Sequence, residues 1–156
     1  MNHAELIDAY LAGPQLLRQA VAGMSADDLD ARPVPGKMST REVICHIADF
    51  EPVYVERMKR SLAEDHPPLR GGDPDAWRAA LAYDARDVAE ELDLIELTRK
   101  AMARILRTLP EAGWNRTGIH SEAGPLSVEG LLRRITEHIP HHIRFIEEKR
   151  QVLSAR

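Results

Sequence analysis

The sequence predicts an all-α four-helix bundle with a long connection between its second and third helices, and three observations predict it. Apolar residues recur at steps of three or four along four separate stretches, which puts them on one face of a helix in each. Segments rich in Pro and Gly part those stretches. The composition is 44% hydrophobic, 29% charged and only 4% aromatic, which suits a core of Leu, Ile, Val and Ala. At 156 residues the chain can bury one core and is too short for two ordinary domains, so residues 1–156 read as a single domain.

The first helix is expected from about Glu5 to Gly23, with Asn2 as N-cap and Leu6, Ile7, Tyr10, Leu11, Leu17 and Val21 on its buried face. Pro14 should kink it. Met24 to Met38 carries Pro33, Pro35 and Gly36 and reads as an ordered loop. Ser39-Thr40-Arg41-Glu42 is a capping box that opens a second helix, in which Val43, Ile47, Phe50, Tyr54 and Met58 form the apolar stripe. Pro52 adds a bend, and the helix should stop before His66-Pro67-Pro68.

The stretch from Asp65 to about Asp84 is a long connection able to cross the end of the bundle, with a short helical piece near Asp75–Arg78. A third helix spans about Asp84 to Leu109; Val88, Leu92, Ile95, Met102, Leu106 and Leu109 follow a near-heptad pattern whose missing position is Arg99. Pro110 closes it, and Glu111 to Pro125 is irregular, with two short strand-like pieces conceivable. The fourth helix starts near Ser127 and buries Val128, Leu131, Leu132, Ile135, Ile139 and Ile146.

Charge and cysteine usage narrow the partners. A net charge of -4 without a long basic run gives no footprint for nucleic acid, and no basic amphipathic helix suggests a membrane surface. No apolar run approaches the roughly 18 residues that span a bilayer. Cys45 is the single cysteine, so no internal disulfide can form, and the N-terminus lacks the pattern of a secretory signal. A cytoplasmic protein with a small-molecule partner is the expectation.

His138 and His142 sit one turn apart on the fourth helix, on one edge of its buried face. Two imidazoles cannot saturate a metal ion. The histidine best placed to complete the set is His46, roughly 60° from the centre of the second helix's stripe. Three neutral imidazoles suit zinc, nickel, iron or copper and leave a position open for water or substrate. Against this stand a solvated His-x-x-x-His face and a satisfied core histidine. His141 lies further round and is expected outside the set.

The stretches Ser39-Thr40-Arg41-Glu42-Val43-Ile44-Cys45-His46-Ile47-Ala48-Asp49 and Glu137-His138-Ile139-Pro140-His141-His142-Ile143-Arg144 resemble the two histidine motifs of the DinB-like (YfiT-like) family of metalloenzymes. The segment Trp114 to His120 with Gly124-Pro125-Leu126 is also similar to the stretch before the last helix of many members. The resemblance implies a four-helix bundle of that type, often dimeric, with His46, His138 and His142 holding a divalent ion, most readily Zn, Ni or Fe. Better-understood relatives use the metal to activate a low-molecular-weight thiol, so a thiol cosubstrate is implied as well.

Two functions follow from the residues and the resemblance together: a metal-dependent transferase or hydrolase for a small substrate, or a non-catalytic metal- or ligand-binding sensor of a stress response. A metal-free helical interaction domain is a third. Glu42 and Asp49, one turn either side of His46, can orient an imidazole or accept a proton, as catalytic groups, or serve as exposed solubilising charges. Arg99 can bind a substrate carboxylate or snorkel from the core edge. His120 reads as a surface loop residue, Cys45 as a small buried filler, and Trp77 and Trp114 as packing anchors. Pro140 either bends a continuous helix or begins a new one; the stripe keeps its phase across it, which favours continuity.

Overall fold

The computed structural model describes residues 1–155. In chain order it has α1 (His3–Val21), α2 (Ala26–Asp30), α3 (Thr40–Ala63), β1 (Pro68–Leu69), α4 (Pro74–Ala80), α5 (Val88–Leu106), α6 (Glu111–Trp114), β2 (Thr117–His120), β3 (Gly124–Ser127) and α7 (Val128–Ser154). Helices α1, α3, α5 and α7 form a four-helix bundle. Among the described residues no helix is long and apolar enough to cross a membrane.

Local chemistry sets the helix starts. Asn2 and Ser39 each accept from a first-turn N–H while Glu5 and Glu42 return a bond to the cap, the reciprocal arrangement expected. Such a cap is worth about 1 kcal/mol. The loop Met24 to Met38 departs from expectation by containing α2, which Ser25 and Asp28 cap in the same way. Helix α5 begins at Val88 rather than near Asp84, because the Asp87 side chain caps it by accepting from the N–H groups of Ala89 and Glu90. The two strand-like pieces form the hairpin β2–β3, and β1 joins parallel to β2. Gly118 is required there, since a Cβ would lie 2.7 Å from Leu69 Cγ.

Helix α1 packs on α5 and α7, and α3 packs on the same two, leaving α1 and α3 on one diagonal and α5 and α7 on the other. The long connection therefore joins neighbours, α3 and α5. The diagonal crossings fall instead to residues 22–39 and 107–127. What matters for function is the α3–α7 contact, because it brings together the two helices that carry the histidines.

All three helices with an internal proline are continuous, α7 through Pro140 included. Pro14 has no N–H to give to Tyr10, one turn back. The Tyr10 carbonyl is satisfied by Arg99 Nη1 at 2.7 Å. Arg99 does not snorkel: it is 0% exposed, ion-paired with Glu51 and donating also to the Ile135 carbonyl at 2.9 Å. Its guanidinium stacks over the Tyr10 ring, and a Cβ at Gly13 would run into it. This knot ties α1, α3, α5 and α7 together in the middle of the apolar core, which explains why the heptad pattern of α5 is interrupted there.

Candidate metal centre

His46 projects from α3, and His138 and His142 from α7. The fourth-residue spacing stacks the latter two on one side of α7, and the α3–α7 packing sets His46 opposite them. His138 Nε2 lies 3.1 Å from His46 Nε2 and 3.1 Å from His142 Nε2. One ligand atom from each of the three falls within 4.8 Å of the others. Two nitrogens each about 2 Å from one ion stand roughly 3 Å apart, so the spacing fits a single metal ion.

Hydrogen bonding alone serves this arrangement poorly. A neutral ring nitrogen offers either one hydrogen or one lone pair, so His138 Nε2 cannot make a well-directed bond to both neighbours. A cation accepts all three lone pairs at once. An ion taken up by the inward Nε2 atoms would leave the ring hydrogen on each Nδ1; those of His46 and His138 are buried without a partner. Burial keeps the rings neutral. It pushes His138 down to about 2, with the other two histidines adding to the effect, and His142 down to about 3. His46 is lowered by burial too, partly opposed by the negative charge of Asp49. Neutral imidazole is the form that binds metal.

The neighbours complete the pocket. Phe50 packs against His46 with ring centroids 4.8 Å apart, and Trp77 against Phe50 at 5.1 Å, so Trp77 anchors the wall beside the histidines. His141 is exposed and takes part from the flank, edge-on to His142 at 5.1 Å. His120 Nδ1 accepts from the N–H groups of Glu122 and Ala123 and so serves the β2–β3 turn. Cys45 is buried against the Tyr83 carbonyl, and burial pushes its thiol up to about 11. Trp114 is buried and stacks on His3.

Neither carboxylate flanking His46 is a free surface charge. Glu42 is buried, with its oxygens on the Ser39 N–H at 2.7 Å and Arg32 at 2.6 Å. Asp49 is paired with Arg86 at 2.9 Å, which in turn holds Glu91. The cluster that could hold a metal ion contains the three histidines and no carboxylate. Four buried charged residues, Glu51, Arg57, Glu91 and Lys149, were not expected from the sequence. Lys149 had a signal: it continues the three- and four-residue spacing of His142 and Ile146 along α7.

Fold and site together define a class, helical bundles whose core opens on a three-histidine centre suited to a divalent metal. The chain belongs to the DinB superfamily, whose model matches residues 9–146. It is 30% identical to YfiT of Bacillus subtilis over 136 residues, 86% of this chain and 76% of YfiT. A protein of Oceanobacillus iheyensis is 29% identical over 133 residues, 85% of this chain and 77% of its own length. Both carry provisional names as metal-dependent hydrolases. The solved structure of YfiT, described as a four-helix bundle of unusual topology, matches with a TM-score of 0.91 at 27% identity, over 97% of this chain and 87% of YfiT. A mycothiol-dependent maleylpyruvate isomerase shares the fold at a TM-score of 0.73 and 11% identity, over 92% of this chain and 60% of that one.

Proposed function

We propose that the chain is a metal-dependent hydrolase of a small molecule, with one divalent ion, Zn, Ni or Fe, held by Nε2 of His46, His138 and His142. The convergence of three imidazoles from two helices, one buried and two half-buried, with the latter two pushed toward the neutral form, carries this reading. A divalent ion so bound lowers the pKa of a coordinated water and polarises a substrate carbonyl or phosphoryl oxygen. The protein's part is to present three unprotonated rings, to wall one side with Phe50 and Trp77, and to keep α3 and α7 in register through Arg99 and Glu51. Asp49, engaged with Arg86, acts on His46 through its charge, and Glu42 through the helix cap it completes.

A specific observation also supports a second reading, a transferase using a low-molecular-weight thiol. The histidine cluster holds no carboxylate to take a proton from water. A coordinated thiol is deprotonated outright and needs no such base. Both readings suit a cytoplasmic enzyme, where thiols stay reduced.

The experiment is to load the protein with Zn, Ni or Fe(II) and assay small esters and amides alongside thiol-plus-electrophile pairs. Metal-dependent hydrolysis that disappears on chelation and in His142→Ala supports the hydrolase, and turnover only with a thiol supports the transferase. Inactivity throughout, at confirmed metal occupancy, would support the sensor reading and contradict both enzymes.

A further inference from the structure

Beside His142 lies a small recess of about 160 Å³, lined by Lys37, Met38, Val43, His142, Phe145 and Lys149. Its charge is one-sided. Lys149 is only 2% exposed, yet its ammonium donates to a single neutral acceptor, the Phe145 carbonyl at 3.1 Å. An ammonium has three hydrogens to place, and a buried charge is costly unless it is paired. Arg99, the other fully buried cation, has Glu51 set against it. Lys149 has no such partner among the described residues. Lys37 is a second cation at the same recess, 5.7 Å from the Phe145 ring centroid.

The nearest negative charges do not fill the gap. Glu42 spends its oxygens on Arg32 and the Ser39 N–H, and Glu148 attracts Lys149 only at longer range. Burial, with the like charge of Lys37 adding to it, holds the Lys149 ammonium below its ordinary range. The start of α3, whose cap Ser39 follows Met38, adds the positive end of a long helix, partly offset by Glu42 in its first turn.

We propose that this recess is an oxyanion subsite, binding a carboxylate or phosphate group of the small molecule on which the neighbouring three-histidine centre acts. The proposal rests on the reading of that centre as the place of reaction. The oxyanion pairs with Lys149 and Lys37, and Met38, Val43 and Phe145 enclose the short apolar neck that carries it. His142 forms both a wall of the recess and a corner of the centre, so a molecule seated here lies against one of the three histidines. Substrates of this protein are accordingly small acids or phosphoesters rather than neutral compounds.

The test is calorimetric titration with phenylacetate, phenyl phosphate and neutral phenylacetamide, each against metal-loaded protein and against protein stripped by a chelator. Stripping removes direct coordination of the anion to metal. The stripped wild type is expected to bind at least one of the two anions about tenfold more tightly than the amide, and Lys149→Met to lose about tenfold of that affinity. A preference for phenylacetate marks a carboxylate head and one for phenyl phosphate a phosphoryl head. Lys37→Met, altered at an exposed position, is expected to weaken the same anion less, and it decides the matter should Lys149→Met fail to fold. Equal binding of amide and anions, or unchanged anion affinity in the lysine variants, would overturn the subsite. Metal content measured on the same samples keeps the two readings apart. Anion binding by a chain that never holds metal would sink the reaction centre alone, and a fully metal-loaded chain indifferent to the anions would sink the subsite alone.

Discussion

One polar cluster is buried at the centre of the bundle and another is half-buried between α3 and α7, and they are built in opposite ways. Around Arg99, the guanidinium finds Glu51, two backbone carbonyls and the face of Tyr10, so the core closes on itself. Around His138, three ring nitrogens face one another, and the single Nε2 of His138 has two neighbours at 3.1 Å that it cannot serve with one hydrogen or one lone pair. A polar group inside a core is satisfied either by the protein or by something the protein binds. The first cluster holds the bundle together; the second is arranged so that three residues could hold a metal ion.

The sharpest way to break this contrast is to remove a ring. His46→Ala or His142→Ala should take metal content from one ion per chain to near zero after gel filtration, as read by elemental analysis. Full stoichiometry in both variants would mean that the ion sits elsewhere. In the closed cluster the expected loss is one of stability. Arg99→Met leaves Glu51 buried and uncompensated and should cost about 3–5 kcal/mol in denaturant unfolding. The double variant Arg99→Met/Glu51→Leu should recover much of this, and a double variant as unstable as the single one would show that the ion pair is not the cause.

Ligand should stabilise only the open cluster. At a hundredfold excess of free metal over Kd the wild type should gain about 2.7 kcal/mol, and His46→Ala nothing. The pH response separates the clusters further. His138 and His142 are pushed down to about 2 and about 3 in the fold, whereas in the unfolded chain such rings titrate near about 6.5. Between those values the unfolded chain binds more protons. This contribution to the stability of the metal-free protein is therefore fully present above about pH 6.5 and is lost as the pH falls toward the folded values. Melting temperatures of metal-free wild type and His138→Phe from pH 7 to pH 4 check this, and the variant should show the shallower decline. The smallest effect is expected at His141, where Ala should leave metal content unchanged and stability within about 0.5 kcal/mol.

The same contrast explains what can be read from the chain. Helix starts are legible because Asn2 and Ser39 act on residues three positions away. The three histidines are legible because two share a helix at a four-residue step and the third falls near a helical stripe. Arg99 and Glu51 are 48 positions apart, and no local pattern pairs them; the gap in the heptads of α5 marks a place without naming its partner. Glu42 and Asp49 have the right spacing to serve His46, yet the loop before α3 and the connection before α5 supply Arg32 and Arg86 to take their charges. Only the packed structure decides between such partners. The α3–α5 adjacency is hidden for a similar reason, since the length of residues 64–87 does not reveal which helix they lead to.

One measurement bears most directly on the open cluster. Crystals of the metal-loaded protein, measured at the absorption edge of the loaded metal, should give one anomalous peak per chain, enclosed by Nε2 of His46, His138 and His142 and about 2 Å from each. A peak held by other residues, or none in protein whose metal content is confirmed, would contradict the three-histidine centre.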